Sequence, residues 1–276
     1  MMPVQPALVS VLIPTRNSAT HLAACIQSLR KQTYRVLEIL IIDNGSQDET
    51  LTLASKLADR VFECGPERCA QLNEGARRAA GFYLYRVDAD FIVEPTVVSS
   101  AVAACEAGAD AVSVHNESSA DVSFLGRVRR FERLMYKHDP LIVGARFFTR
   151  AAFEAVGGFD EELVAGEDYD IHNRLLARGL RIAVIEPVEV HLGEPTSVGD
   201  FVKKSYYYGT TFSRFLSKNG RRGFAQASPV RAAFFRNWRE FVRHPGLGLS
   251  FCWLQVLKYG AGACGMMAAL LRRRPG

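Results

Sequence analysis

The stretch YLYRVDAD, Tyr83–Asp90, is an apolar segment of strand length that ends in two carboxylates, Asp88 and Asp90. Side chains alternate between the two faces of a strand, so residues two apart point the same way. Two carboxylates held that close repel each other unless a cation neutralises them. Oxygen ligands at a strand end suit Mg²⁺ or Mn²⁺, and these ions usually bridge to phosphate groups. The stretch therefore predicts a site for a metal-bound diphosphate.

Two more buried strands are predicted before this one, at Leu8–Ile13 and Glu38–Ile42. Each is followed by a polar cluster, PTRN at 14–17 and DNGS at 43–46, and then by a helix. Alternating strands and helices are typical of a parallel sheet covered by helices. Ligands of such sheets bind beyond the carboxyl ends of the strands. We therefore expect an α/β fold, a Rossmann-like three-layer sandwich with a mostly parallel sheet, whose three strand ends meet at one crevice.

A second acidic cluster, GEDYD at Gly166–Asp170, stands at the start of a helix predicted over Glu167–Arg178. The dipole of a helix stabilises carboxylates at its N-terminus in their ionised form. A basic helix is predicted earlier, over Phe124–Lys137, and a last strand over Arg181–Ile185. His191 follows that strand, and the body of the chain is expected to end near residue 200.

Charge divides the 276 residues into an acidic body and a basic tail. Residues 201–276 hold 14 Lys and Arg but a single acid, Glu240, whereas residues 1–200 hold 20 Lys and Arg and 28 Asp and Glu. A basic tail indicates contact with an anionic surface. We therefore predict two units, an acidic body at 1–200 and a helical, membrane-associating segment at 201–276.

The tail combines a basic amphipathic helix, predicted over Pro229–His244, with an apolar stretch, Gly246–Leu271. The first is typical of helices that lie in a membrane interface. The second is long enough to span a bilayer, but Gln255, Lys258 and its glycines weaken that interpretation. Three alternatives stay open for it: a spanning helix, an interfacial helix or hairpin, and a helix packed on a soluble body.

The six cysteines are scattered without zinc-ligand spacing and are interpreted as free thiols of a reducing compartment. The N-terminus lacks the basic region and the long apolar region of a signal peptide. Together with the tail, these features predict a cytoplasmic protein at the cytoplasmic face of the cell membrane.

Four segments of the chain resemble family 2 glycosyltransferases, which have the GT-A fold. In the family's order and roughly its spacing, they are VSVLIPTRNSATHLAACIQSLRKQT (Val9–Thr33), EILIIDNGSQDET (Glu38–Thr50), DAD (Asp88–Asp90) and GGFDEELVAGEDYD (Gly157–Asp170). A lone DxD motif is weak, but four motifs in order are specific. The resemblance covers Val9 to about Leu192, and the tail matches no family motif of comparable specificity.

The resemblance implies inverting transfer of a sugar from a nucleotide-diphosphate donor, with Mg²⁺ or Mn²⁺ as cofactor. By this likeness Asp90 contacts the metal, and Asp88 reaches the ribose, or the metal through water. Some family members use a histidine near the position of His191 as a further metal ligand. An isolated histidine is more often structural, so that alternative stays open for His191.

For the donor nucleotide, the resemblance implies a first binding loop containing Pro14, Thr15 and Asn17. Asp43 corresponds to the family's contact with the donor base, and Arg68 to a basic residue that touches the base or the phosphates. The residue after Asp43 is asparagine, where the family often has a second aspartate. That departure leaves the preference for a nucleobase open.

Asp168 matches the second acid of the family's ED motif, which makes it the candidate catalytic base. Glu167 is expected to orient the helix or the acceptor. An ionised carboxylate at this helix start could accept the proton of the acceptor hydroxyl.

The predicted acceptor is a glycan or a lipid-linked acceptor, in the synthesis of polysaccharide or cell-envelope glycans. In an alternative, the acceptor is a polyprenyl phosphate, which requires basic residues gathered beside Asp168. Arg127, Arg129, Arg130 and Arg133 could supply them, although a solvated helix face is the preferred interpretation. A non-catalytic assembly protein that kept the fold is a further alternative, and no nucleic-acid-binding motif supports a nucleic-acid partner.

Overall fold

A computed structural model describes residues 6–119, 123–137, 139 and 141–272. Within these residues, one sheet has the strand order β3-β2-β1-β4-β7-β6-β8-β5. The strands are β1 (Val9–Thr15), β2 (Leu37–Asp43), β3 (Arg60–Glu63), β4 (Tyr83–Arg86), β5 (Phe91–Val93), β6 (Ala111–Ser118), β7 (Ala145–Thr149) and β8 (Ile182–His191). Neighbours are parallel from β3 to β4 and between β6 and β8, and antiparallel at β4–β7, β7–β6 and β8–β5. The predicted α/β fold with a mostly parallel sheet is confirmed.

Helices cover both faces of the sheet and continue into the tail. They are α1 (Ala19–Arg30), α2 (Thr50–Leu57), α3 (Arg68–Arg78), α4 (Val97–Glu106), α5 (Phe124–Leu134), α6 (Arg150–Ala155), α7 (Glu167–Ala177), α8 (Val198–Ala227), α9 (Ala232–Arg236), α10 (Trp238–Arg243) and α11 (Pro245–Arg272).

The alternation of side chains along β1 divides the core into two layers. Val11 and Ile13 belong to a buried cluster that includes Leu22 of α1 and Val98 of α4. Leu12 belongs to a second cluster, formed with side chains of α3, α6 and α7. Because both faces of the strand are covered, apolar residues occupy both faces of β1 and do not alternate regularly with polar ones. This arrangement leaves the carboxyl ends of the strands free to form a site.

The structure differs from the predicted elements at three strands. The last strand, β8, extends to His191, so His191 is its final residue and does not follow it. It pairs there with Phe91 of β5, a strand of three residues that is too short to give a periodic sequence signal. At the N-terminus, β1 continues through Pro14 and Thr15, because both residues lie in register with β2.

The tail starts within α8, which crosses residue 200 and packs on α7. Asp170 of α7 is fully buried, and its carboxylate accepts hydrogen bonds from Lys218, at 3.0 Å, and Asn219, at 3.1 Å. The boundary between two units at residue 200 stays a prediction. The single amphipathic helix predicted over Pro229–His244 is wrong: two short helices, α9 and α10, meet there at Asn237, whose side-chain amide donates to the carbonyl of Met135 at 2.6 Å.

The last helix, α11, lies against α8 and α5. A Cβ atom on Gly209 of α8 would collide with the backbone of Gly262, and one on Gly265 would collide with the carbonyl of Tyr206. Glycines at these positions let the two helix backbones approach closely. The opposite side of α11 exposes large apolar side chains, including Leu249, Trp253, Val256, Met267 and Leu271. By length and composition α11 could cross a membrane, which is weak evidence for a membrane association.

Glu132 of α5 holds α11 in place through a buried charge. Its carboxylate pairs with Arg129 and accepts hydrogen bonds from Gln255, at 3.1 Å, and Lys258, at 3.5 Å. Burial opposes ionisation, but the charge of Arg129 outweighs it and lowers the pKa of Glu132 to about 2. A lowered pKa stabilises the folded state above the unfolded value near 4.5, and the contribution is lost as the pH falls toward 2.

We expect Glu132→Gln to reduce the free energy of unfolding at pH 7 by about 3 kcal/mol, because buried cations lose their counter-charge. Urea denaturation at pH 7 measures the loss. Glu240→Gln, which breaks a largely exposed pair with Arg243, is the matched control and should cost less than about 1 kcal/mol. Equal losses in the two variants would contradict this assignment.

Candidate active site

A cavity of about 700 Å³ lies at the carboxyl end of β4, between the sheet and helices α8 and α11. Its lining brings together six of the residues that the sequence predicts for the site: Arg68, Asp88, Asp90, Glu167, Asp168 and His191. The tail helices add both cationic and apolar side chains to the same cavity, among them Lys204, Tyr208, Phe212 and Met266. Side chains of the tail therefore form part of the lining of this candidate site.

Asp88 and Glu167 are bound by arginines. Arg68 of α3 contacts Glu167 Oε1 at 2.5 Å and Asp88 Oδ1 at 3.6 Å, and Arg86 reaches the same two carboxylates at 3.2 and 3.4 Å. A third guanidinium, that of Arg146 in β7, donates to Asp88 Oδ2 at 3.1 Å. Burial raises the pKa of Asp88, but the three arginines outweigh it and hold the pKa well below its usual range. Asp88 is therefore ionised and ion-paired.

Arg146 is fixed from its other side by Glu189, which lies fully buried in β8. Arg146 Nε is 2.8 Å from Glu189 Oε2, and the hydroxyl of Tyr85 donates to the other oxygen of Glu189 at 2.5 Å. The network thus joins three guanidinium groups to three carboxylates across β4, β7, β8, α3 and α7. The three positive and three negative charges balance, so attraction to the carboxylates offsets the repulsion among the arginines.

Asp90 is the more open acid of the DAD motif, with 34% of its side chain exposed. Oδ2 of Asp90 lies 3.0 Å from Nε2 of His191, and Nδ1 of His191 lies 3.0 Å from Oε1 of Glu194. Burial lowers the pKa of His191, but the contacts with Asp90 and Glu194 outweigh it and raise the pKa above its ordinary value. A Cβ atom on Gly193 would collide with Oδ2 of Asp90, so a larger residue at this position would displace the Asp90 carboxylate.

The donor set at Asp90 and His191 fits a divalent cation such as Mn²⁺, because it pairs a carboxylate oxygen with an imidazole nitrogen. Glu194 lies at the second nitrogen of His191, as carboxylates commonly do behind metal-binding histidines. Among the described residues, no group of three or more His, Cys, Asp or Glu side chains is placed to hold a metal. Asp88 pairs with Arg86 and Arg146, and its predicted contact with the metal stays a prediction.

Asp168 lies in the first turn of α7, after Gly166, whose φ of 80° is in the left-handed region that glycine tolerates. Its Oδ1 accepts the backbone N–H of Tyr169 at 2.9 Å. Gly144 packs closely against Asp168, because a Cβ atom at Gly144 would stand 3.2 Å from Cβ of Asp168. This contact helps to fix the position of Asp168. Asp168 is half-buried and lines the cavity, so a substrate can reach its carboxylate.

The remaining predicted donor residues, Pro14, Thr15, Asn17 and Asp43, do not line this cavity. Asp43 is fully buried, and its carboxylate accepts hydrogen bonds from the hydroxyls of Thr15, at 2.7 Å, and Ser46, at 2.6 Å. Asn17 is exposed, has a φ of 49°, and accepts the backbone N–H of Gln47 at 2.8 Å. These contacts shape the loops after β1 and β2, and the predicted roles in donor binding stay predictions.

Sequence reasoning missed Arg86 and Arg146. Arg86 is 3% exposed although it stands in an apolar strand. A charged residue in such a strand, two residues before Asp88, indicates a buried ion pair and could have been recognised from the sequence. Arg146 also stands among apolar residues in its strand, but its partner Asp88 is 58 residues away in the chain, so the sequence does not indicate the pair. The expected solvated face of α5 is wrong for Arg129 and Arg133, whose side chains are 16% and 12% exposed, although Arg127 and Arg130 are exposed as expected.

Comparison with known proteins shows the family of this chain. The family model described as Glycosyl transferase family 2 matches residues 10–156, more than half of the chain. The chain belongs to glycosyl transferase family 2. It is therefore a glycosyltransferase, and the predicted family is confirmed.

Two curated relatives of this family 2 chain differ in how much of their length it covers. Chondroitin synthase of Escherichia coli is 25% identical over 181 residues, which are 61% of this chain but 26% of that protein. Succinoglycan biosynthesis protein ExoA of Rhizobium meliloti is 26% identical over 293 aligned positions, covering 96% of this chain and 87% of that protein. The second alignment includes the tail.

A solved structure shares the GT-A fold of this family 2 chain. Mannosyltransferase PcManGT from Pyrobaculum calidifontis, in complex with GDP-Man and Mn²⁺, has a TM-score of 0.59 at 18% identity. The alignment covers 99% of this chain and 77% of the mannosyltransferase. The predicted fold is confirmed along nearly the whole chain.

Proposed function

We propose that this glycosyltransferase is metal-dependent, and that it transfers a sugar from a nucleotide-diphosphate donor to an acceptor hydroxyl with inversion. One observation carries the proposal: Asp90 and His191, a fitting pair of metal ligands, line the same cavity as Asp168, an accessible carboxylate. A divalent cation bound there would neutralise the diphosphate leaving group. The Mn²⁺ in the complex of PcManGT supports this choice of ion.

Asp168 is the proposed general base. As the acceptor oxygen bonds to the anomeric carbon, the bond from that carbon to the diphosphate oxygen breaks, and the hydroxyl proton passes to Asp168. A single displacement of this kind inverts the configuration at the anomeric carbon. The proposed role of Arg68, which lies 3.6 Å from Asp88, is to contact the base or the phosphates of the donor. Glu167 pairs with Arg68 and Arg86 and so holds both in position.

The proposed acceptor is a glycan or a lipid-linked sugar in the assembly of polysaccharide or cell-envelope glycans. The relatives chondroitin synthase and succinoglycan biosynthesis protein ExoA support polysaccharide as the product class. The exposed apolar side of α11 and the basic residues of α9 and α10 support binding at a membrane surface, which we place at the cytoplasmic face. The polyprenyl-phosphate alternative gains support from Arg129 and Arg133, because both line a cavity that reaches Asp168.

The proposal predicts that one class of nucleotide-sugar stabilises the protein only when Mn²⁺ or Mg²⁺ is present. A thermal-shift series with UDP-, GDP- and dTDP-sugars, each with Mn²⁺ or with EDTA, measures this. A ligand that binds only the folded state at 100 times its Kd adds about 2.7 kcal/mol to the stability. Absence of any donor-dependent shift, together with absence of donor hydrolysis or transfer, would contradict the proposal.

A further inference from the structure

A smaller cavity of about 320 Å³ adjoins the main one, and the two share Arg133, Asp168, Arg231 and Lys258 in their linings. The shared residues make them parts of one space on the tail side of Asp168. The smaller cavity is lined by five cationic side chains, Arg129, Arg133, Arg146, Arg231 and Lys258, and by one carboxylate, Asp168.

Three of these cations are neutralised by buried carboxylates, but two are not fully paired. Arg129 contacts Glu132, Arg133 contacts Glu194 at 2.8 Å, and Arg146 is held by the network around Asp88. Arg231 forms no ion pair with any carboxylate in the described part of the chain. Its guanidinium donates instead to the carbonyls of Ser228 and Gln226, at 3.3 Å each, and lies 5.2 Å from the ring centre of Tyr136.

Lys258 shares its only ion-pair partner in the described residues, Glu132, with Arg129. Its Nζ is 3.5 Å from Glu132 Oε1, a longer contact than Glu132 makes with Arg129 or with Gln255. The cavity therefore has more positive charge than its own carboxylates neutralise. An anion that binds in this cavity would neutralise the surplus positive charge, which favours its binding.

The tail helices also contribute apolar side chains to the lining of the main cavity. Phe212 and Leu216 of α8 and Ala263 and Met266 of α11 line the main cavity next to Tyr259. The joined cavities beside Asp168 are thus lined by both cationic and apolar side chains. A molecule that carries an anionic group and an apolar portion complements both.

We propose that Arg231 and Lys258, with Arg133, bind a phosphate group of the acceptor and so place the acceptor's oxygen at Asp168. This inference rests on the proposed function and names its acceptor class, a phosphate-bearing molecule. A lipid-linked sugar, joined to its polyprenyl chain through phosphate, and a soluble sugar phosphate share this chemistry, and both keep a sugar hydroxyl whose proton can pass to Asp168. The apolar side chains that line the main cavity favour the lipid. Arginine and lysine both suit phosphate, arginine through its two-pronged donor geometry and lysine as a point charge.

The test measures transfer by the full-length protein, with its preferred donor and Mn²⁺, to three acceptors. They are a sugar linked to a polyprenyl chain through phosphate, in detergent micelles, a soluble sugar phosphate, and the same sugar without phosphate as the neutral alcohol. Wild-type protein should prefer a phosphorylated acceptor. The better of the two phosphorylated acceptors shows whether the phosphate is carried by a lipid or by a soluble sugar. Arg231→Gln and Lys258→Met should each raise the KM for that acceptor about 10- to 100-fold, because a charged hydrogen bond is lost.

Two controls separate a binding role from a structural one. Arg239→Gln removes an exposed tail cation outside both cavities and should leave the acceptor KM unchanged. Arg231→Lys, which keeps the charge, should recover part of the lost affinity. In all variants the donor Kd, measured by calorimetry, should stay within about twofold of wild type, which shows that the donor site is folded.

The inference is overturned if wild-type protein prefers the neutral alcohol, or if Arg231→Gln and Lys258→Met change the KM no more than Arg239→Gln does. That result differs from failure of the proposed function, in which wild-type protein neither binds nor uses any nucleotide-sugar. Competitive inhibition by inorganic phosphate against the acceptor, lost in Arg231→Gln, would support the inference independently of the acceptor chosen.

Discussion

Asp168→Asn is expected to lower the turnover number by about 10²- to 10⁴-fold, the usual contribution of a general base. The amide cannot accept the proton of the acceptor hydroxyl, although it has the size of the carboxylate and can still accept the N–H of Tyr169. The Kd of the nucleotide-sugar should not change, because the base acts on the acceptor. Steady-state kinetics and calorimetry on the same preparation measure the two quantities.

The matched control for this variant is Asp200→Asn. Asp200 also stands in the first turn of a helix, α8, but it is exposed and lies outside the cavity. Its substitution should leave turnover near that of wild type. Near-normal turnover in Asp168→Asn would remove the assignment of the base and leave the family and fold unaffected.

Asp90→Asn should weaken binding of the nucleotide-sugar in the presence of Mn²⁺ by about 100-fold or more, because a neutral amide is a poor ligand for a divalent cation. The same change should have little effect on the weak binding measured in EDTA. Calorimetric titrations with and without Mn²⁺ give both values. If Asp90→Asn kept the full Mn²⁺-dependent gain in affinity, the cation would have to bind elsewhere.

The positions of the motifs along the chain were predictable, because each depends on local signals. The apolar periodicity of Ala19–Arg30 predicts α1 at the residues where the structure has it. Asp88 and Asp90 follow a predicted strand, and Asp168 stands at the start of a predicted helix. Their meeting in one cavity follows from the rule that ligands of parallel sheets bind at the carboxyl ends of strands.

The electrostatic partners of these carboxylates were not predictable, because they depend on strand order and register. Arg146 reaches Asp88 only because β7 lies antiparallel beside β4, which no local pattern in either strand indicates. The roles of Arg231 and Lys258 likewise require α11 to pack on α8 and α5. A basic, apolar tail indicates a membrane from composition alone, whereas its contribution to the site depends on long-range packing.

The central claim, that Asp90 and His191 hold a divalent cation against the donor's diphosphate, is tested most directly by pulsed electron paramagnetic resonance of bound Mn²⁺. We expect a nitrogen coupling that disappears in His191→Ala, and a phosphorus coupling that appears when the preferred nucleoside diphosphate is added. A Mn²⁺ signal of the fully hydrated ion, with neither coupling in the wild-type protein, would contradict the claim.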